Sequence, residues 1–282
     1  MVMKKVRRGF TLIEVSLFLA ITGVVFVGIA VGTQNSIFQQ RYNDSVQNFA
    51  EFLRTVYSQV KNVQNSESKG NTKKAIYGKL VTFGESYDLN GDKIDDNEQE
   101  IFTYNVIGNI GDESGNIIDQ LIDLEANVVY TLDDGAGHVT GYEFAGFAES
   151  YTPRWGSRIQ STAGWSGASY QNFNGTLLVI RHPSSGVIYT KVLDETIQVN
   201  EILKGGSTDS IKNILTSKLG DFETEQVDFC VNPNGIERST LRRDVRLAKG
   251  LRNASGIQIV ADEEDWVDVG GTSQNVGNRC ER

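Results

Sequence analysis

Proline, cysteine and histidine are nearly missing from these 282 residues, which contain three prolines, two cysteines and two histidines. So few cysteines exclude a disulfide-dense miniature scaffold, and a packed core has to hold the fold. His138 follows a glycine turn and His182 precedes Pro183 at a hairpin tip, so both read as turn residues rather than as metal ligands or proton carriers. Gly-x-Ser-x-Gly, a phosphate-binding glycine loop and zinc-ligand spacings are all absent, and the sequence reads as a non-enzyme. Positive charge is short as well. Lys and Arg number 27 against 36 Asp and Glu, a net charge of −9 that does not invite nucleic acid or anionic lipid in general.

The most informative absence is that of charge between Phe10 and Gly32, where Glu14 is the only ionisable side chain. As a helix the run reaches about 34 Å, enough to cross a hydrocarbon core of about 30 Å. Lys4, Lys5, Arg7 and Arg8 crowd one end, while Thr33-Gln34-Asn35 opens the other. The positive-inside rule then keeps the first residues in the cytoplasm and places everything after Gly32 outside. The run is longer than the apolar region of a secretory signal, about 7–15 residues, and only Ala30-Val31-Gly32 offers a small-residue cleavage site behind it. A lone carboxylate in such a segment costs something like 2.5 kcal/mol or more. No Lys, Arg or His lies in the run to pair with Glu14, so a countercharge has to come from elsewhere.

Gly9-Phe10-Thr11-Leu12-Ile13-Glu14 resembles the class III signal of type IV pilins and type II secretion pseudopilins. The resemblance implies that a membrane prepilin peptidase/N-methyltransferase cuts between Gly9 and Phe10 and methylates the new amine. It also implies that the Phe10 amine meets Glu14 of a neighbouring subunit, making Glu14 an assembly residue. The implied partners are other pilin or pseudopilin subunits and an inner-membrane assembly platform. The implied location is a single pass through the cytoplasmic membrane, with an extracytoplasmic head that reaches a cell-surface filament after assembly. Many main pilins have a helix-bending proline where Val31 stands here. Its absence, with the length of the chain, favours a minor pilin or minor pseudopilin.

The expected fold is α+β and pilin-like: a long N-terminal helix, transmembrane in its first half, packed on a β-rich globular head. Residues 1–9 form the leader, 10–32 the transmembrane and assembly helix, 33–65 its amphipathic extension and 66–282 the head. In the extension, Tyr42, Val46, Phe49, Leu53, Val56, Val60 and Val63 recur in steps of four and three, an apolar stripe for packing against the head. Strands are expected at 75–83, 100–107, 121–132 and 141–147, and as hairpins at 175–181 with 186–193 and 242–247 with 256–260. A short helix is expected at 211–219. The aromatic Gly/Ser-rich section 150–174, with Trp155, Trp165, Tyr170 and Phe173, is expected to cover the core.

Two candidate sites lie in the head. Asp88, Asn90 and Asp92 stand at positions 1, 3 and 5 of a Ca²⁺ loop, with the Ile94 carbonyl at position 7 and Asp96 at position 9. Position 6 is Lys93 rather than glycine and position 12 is Gln99, flanked by Glu98 and Glu100, so the loop departs from the EF-hand. The alternative is a solvated acidic turn. Cys230 and Cys280, both predicted to lie outside the membrane, read as one disulfide or as two buried thiols. Pilins often staple their C-terminal region in this way, and the resemblance supports the bridge.

The competing functional class is a pilus-associated adhesin or receptor whose head holds a ligand, DNA or a surface. Arg238, Arg242, Arg243, Arg246, Lys249 and Arg252 cluster in this acidic chain. Asp244 interrupts them, however, and strand alternation splits Arg242 from Arg243, so nucleic acid is not the expected partner.

Overall fold

The structure is a computed structural model. It describes residues 11–61, 74–85, 100–111, 114–116, 118–136, 138–146, 149–161, 172–204, 208–219, 226–232, 243–260, 266–269 and 272–275. The chain divides into two compact units, Met1–Asn43 and Asp44–Arg282.

Helix α1 (Leu12–Lys61) runs without interruption, as the lack of proline in this stretch allows. Within the first unit its apolar side chains are exposed, Leu12 by 88 % and Val24 by 74 %, although Tyr42 is buried. Within the second unit the expected stripe of Val46, Phe49, Leu53, Val56 and Val60 is buried. Val63 lies outside the described residues.

The second unit is β-rich. In chain order its strands are β1 (Lys74–Phe83), β2 (Ile101–Asn109), β3 (Val129–Asp133), β4 (Val139–Phe144), β5 (Glu149–Tyr151), β6 (Arg158–Ser161), β7 (Gly175–Arg181), β8 (Ile188–Leu193), β9 (Val227–Asn232), β10 (Arg243–Leu247), β11 (Ile257–Val260), β12 (Trp266–Val269) and β13 (Thr272–Asn275). Two short helices, α2 (Val199–Lys204) and α3 (Thr208–Lys218), lie between β8 and β9. One sheet has the order β5-β2-β1-β7-β8 and the other β11-β10-β9-β6, while β3 with β4 and β12 with β13 form separate hairpins. Neighbouring strands pair antiparallel throughout.

Most strand expectations hold, including both C-terminal hairpins, and α3 covers the predicted helix up to Lys218. The run 121–132 is corrected. Its first part is a 3-10 turn, Leu121–Leu124, whose two leucines are buried, and only Val129 onward joins a strand. Leu121 and Leu124 are three residues apart, and one 3-10 turn puts such a pair on one side.

Strand β1 occupies the middle of the five-stranded sheet and is buried from Gly78 to Phe83, so both of its faces meet core. On one face Leu80 packs with Tyr104, Val106, Leu178 and Ile180 against Val199, Ile211 and Leu215 of α2 and α3. On the other face Phe83 meets Phe49 of α1, with ring centroids 6.4 Å apart. Phe229 of β9 stacks on Phe83 at 5.4 Å and meets Phe49 edge-on at 5.8 Å, so helix and both sheets join in one aromatic cluster. Phe173 belongs to it too, 5.0 Å from Phe83, as expected of the aromatic section. Trp155 does not: it is 51 % exposed, in the left-handed region at φ 58°. Trp165 and Tyr170 lie outside the described residues. Two polar contacts fix the helix further. The Tyr57 hydroxyl bonds Thr190 Oγ1 at 2.6 Å, and Arg54 Nη2 donates to the Ile257 carbonyl at 3.0 Å.

A buried carboxylate ties β1 to α2. Glu85 accepts from Thr82 Oγ1 at 2.6 Å, Tyr104 OH at 2.9 Å and the Asn200 backbone N–H at 2.7 Å, the last in the first turn of α2. Burial pushes its pKa above the usual 4.5, and the hydrogen bonds pull the other way. The folded chain therefore holds this proton more tightly than the unfolded chain, and stability falls as pH rises from 4.5 through the folded value. Glu85→Gln removes the titration. Its thermal midpoint is expected to vary less than that of the wild type between pH 4.5 and neutrality. Equal slopes in the two proteins would contradict the assignment.

Candidate functional site

Glu14 lies in the first turn of α1. Thr11 stands one residue before the helix, and the pair forms a reciprocal cap. The Thr11 N–H donates to Glu14 Oε2 at 3.0 Å, and the Glu14 N–H donates to Thr11 Oγ1 at 3.4 Å. This is a capping box, the Ser/Thr-x-x-Glu arrangement that satisfies two backbone donors left open at a helix start. The Thr11 hydroxyl also donates to Glu14 Oε2 at 3.1 Å. Sequence reasoning found the carboxylate but overlooked its cap, although Thr11-Leu12-Ile13-Glu14 spells it.

The other hydroxyl side chains of the apolar run, and Thr33 just beyond it, are satisfied within the helix. Ser16 Oγ donates to the Ile13 carbonyl at 3.0 Å, Thr22 Oγ1 to Phe18 at 2.8 Å and Thr33 Oγ1 to Ala30 at 3.0 Å. A hydroxyl bonded back to its own helix loses little on entering hydrocarbon, because its donor is not left open. Glu14 differs. Thr11 supplies hydrogen bonds but no cation. The helix is long and apolar enough to cross a membrane, and its most apolar stretch is wholly unburied. Gly9 and Phe10, the expected processing residues, lie outside the described residues.

The candidate sites of the head fare differently. Asp88, Asn90, Asp92, Ile94, Asp96 and Glu98 lie outside the described residues. The flanking strands β1 and β2 are antiparallel neighbours, with Phe83 opposite Ile101 at the loop end. Among the described residues no group of three or more His, Cys, Asp or Glu is placed to hold a metal ion. Cys230 is buried in β9, between β10 and β6, and no free cysteine occurs among the described residues. Cys280 lies outside them.

The basic cluster does not form one face. Arg246 is buried opposite Asp228 on β9, its Nε 2.6 Å from Asp228 Oδ1 and its Nη2 3.2 Å from Asp244 Oδ2. A guanidinium held by two buried carboxylates is spent on the fold, since removing one partner of such a pair leaves an uncompensated charge. Lys249 and Arg252 are exposed, whereas Arg238 and Arg242 lie outside the described residues. His138, 80 % exposed in its side chain, pairs with Asp134 in the β3–β4 turn, and His182 bonds Ser184 in the β7–β8 turn, as expected of turn residues.

With this geometry in place, the comparisons with known proteins fit the same segment. Residues 4–30 match the family model described as the prokaryotic N-terminal methylation motif, the class III prepilin signal of type IV pilins and pseudopilins. No curated protein and no solved structure matches the chain.

Proposed function

We propose that the chain is a minor pilin or minor pseudopilin, a structural subunit that enters a type IV pilus or a type II secretion pseudopilus after its leader is removed. One observation carries the reading: Glu14 is a capped carboxylate at the start of an exposed apolar helix, inside the prepilin signal, and the apolar run itself holds no cation to pair with it. Cleavage after Gly9 makes the Phe10 nitrogen an amine, a cation at the depth of Glu14 in a neighbouring subunit. Pairing the two offsets a cost of about 2.5 kcal/mol or more that hydrocarbon imposes on a lone charge. Prepilin peptidase and an assembly platform in the membrane are the partners this sequence of events requires. Val31, in place of a helix-bending proline, supports a minor rather than a bulk subunit, and the uninterrupted α1 agrees with it.

Glu14→Ala is expected to insert normally, since it removes a polar group from the membrane, and to fail at entry into the filament. Sheared filaments from cells carrying this variant report the outcome. Wild-type amounts of the protein in them would overturn the assembly role.

The head is proposed to carry two stabilisers, a Cys230–Cys280 bridge and a Ca²⁺ ion held by Asp88, Asn90, Asp92, the Ile94 carbonyl, Asp96 and Glu98. Support for the bridge is the burial of Cys230 and the lack of a free cysteine among the described residues. Support for the ion is the alternate spacing of oxygen ligands on a connection between paired strands. Thermal unfolding of the purified protein tests both. The midpoint is expected to rise with Ca²⁺ over chelator, equivalent to about 2.7 kcal/mol at 100 times the dissociation constant, and to fall under reductant. A midpoint indifferent to chelator removes the ion, and one indifferent to reductant removes the bridge.

A further inference from the structure

Lys79, Asn105 and Glu149 sit together in the five-stranded sheet and have no part in the assembly reading. Lys79 on β1 is only 8 % exposed. Burial holds its ammonium below the usual lysine range, with the Glu149 carboxylate pulling the other way. Asn105 on β2 is its direct cross-strand partner. Glu149 on β5 pairs with Thr103, two residues along β2, and its Oε1 stands 3.9 Å from Lys79 Nζ.

Cross-strand partners project to one face, as do residues two apart on a strand, so Lys79, Asn105, Thr103 and Glu149 share a face. Since β2 lies between β5 and β1, the Lys79 stem reaches Glu149 only by crossing β2 beside Asn105 and Thr103. Directly opposed Cβ atoms are about 4.5–5.5 Å apart, close enough for a lysine amine to meet an asparagine carbonyl. The Asn105 amide is held in place: its Nδ2 donates to the Ala145 carbonyl, and Gly146 leaves room that a Cβ would fill at 2.5 Å from Nδ2. Thr103 Oγ1 is buried nearby without a hydrogen-bond partner.

We propose that Lys79 and Asn105 condense into a side-chain amide that staples β1 to β2, with Glu149 as the proton carrier. The neutral Nζ attacks Asn105 Cγ, the Nζ–Cγ bond forms, and the Cγ–Nδ2 bond breaks to release ammonia. Glu149 takes the proton that Nζ gives up and returns one to Nδ2, ending as the carboxylate it began as, and no oxidant or reductant is consumed. The Thr103 hydroxyl offers a donor to the oxygen that gains charge at Cγ. The half-exposed side chain of Glu149 gives ammonia a path to solvent.

The inference rests on the head alone, so its failure leaves the assembly reading untouched, and the converse also holds. Intact-mass measurement of the purified full chain, reduced and corrected for N-terminal processing, decides it. The wild type is expected to weigh less than its sequence by one ammonia, and digestion to yield a branched peptide joining Lys79 to Asn105. Lys79→Ala and Asn105→Ala are each expected to show their full sequence mass. Glu149→Gln is expected to leave a large unlinked fraction. Complete linkage in Glu149→Gln would remove its role as proton carrier while keeping the bond. A wild type at full sequence mass, with Lys79 labelled by an amine reagent after denaturation, would overturn the proposal without relying on any variant.

Discussion

A carboxylate inside hydrocarbon has to be neutralised, and in this chain that constraint falls on Glu14 alone. Hydrogen bonding and charge are met by different means. Thr11 closes the capping box and supplies an N–H and an O–H to Glu14 Oε2, while the hydroxyls further along bond to their own helix. A cap contributes roughly 0.5–2 kcal/mol but leaves a full negative charge. For the ionised group a cation offsets that charge, and the apolar run contains none. In the proposed account leader removal has a physical meaning beyond trimming, because it would turn a peptide nitrogen into the missing cation. In this account processing and assembly are two halves of one electrostatic event.

The head solves a separate problem, anchoring a helix by its sides. From Ser45 to Val60, α1 is buried through its apolar stripe, and Phe49 meets an aromatic residue of each sheet. Tyr57 and Arg54 add one polar contact each to β8 and β11, at the far edges of the two sheets. Shear along the helix has to break aromatic packing and buried hydrogen bonds together.

Much of this was legible in the sequence, for local reasons. The hairpins β7–β8 and β10–β11 show alternation on both sides of a turn, and α1 shows itself by an unbroken apolar run followed by a stripe at steps of four and three. The losses also have physical causes. Strand β9 is hard to read from sequence because Val227-Asp-Phe-Cys-Val-Asn carries a charge, whereas Asp228 is buried against Arg246. The same buried pair undid the basic patch, since a composition scan cannot tell a solvated arginine from one already paired. The stretch from Leu121 reads as strand because Leu121 and Leu124 are apolar in either conformation. Glu125, in the left-handed region at φ 49°, ends that turn, a conformation that sequence rarely announces for a glutamate. At the candidate assembly site the carboxylate, the motif and the Thr11-to-Glu14 spacing of the cap are legible in the residues, and the distances add that the cap is closed.

The central claim is that the Phe10 nitrogen becomes the cation that Glu14 lacks. Intact-mass and N-terminal peptide analysis of the protein isolated from membranes measures this most directly. The account predicts a chain that begins at Phe10 and carries a methylated amine. A chain that still begins at Met1, or one that begins beyond Gly32, would contradict it.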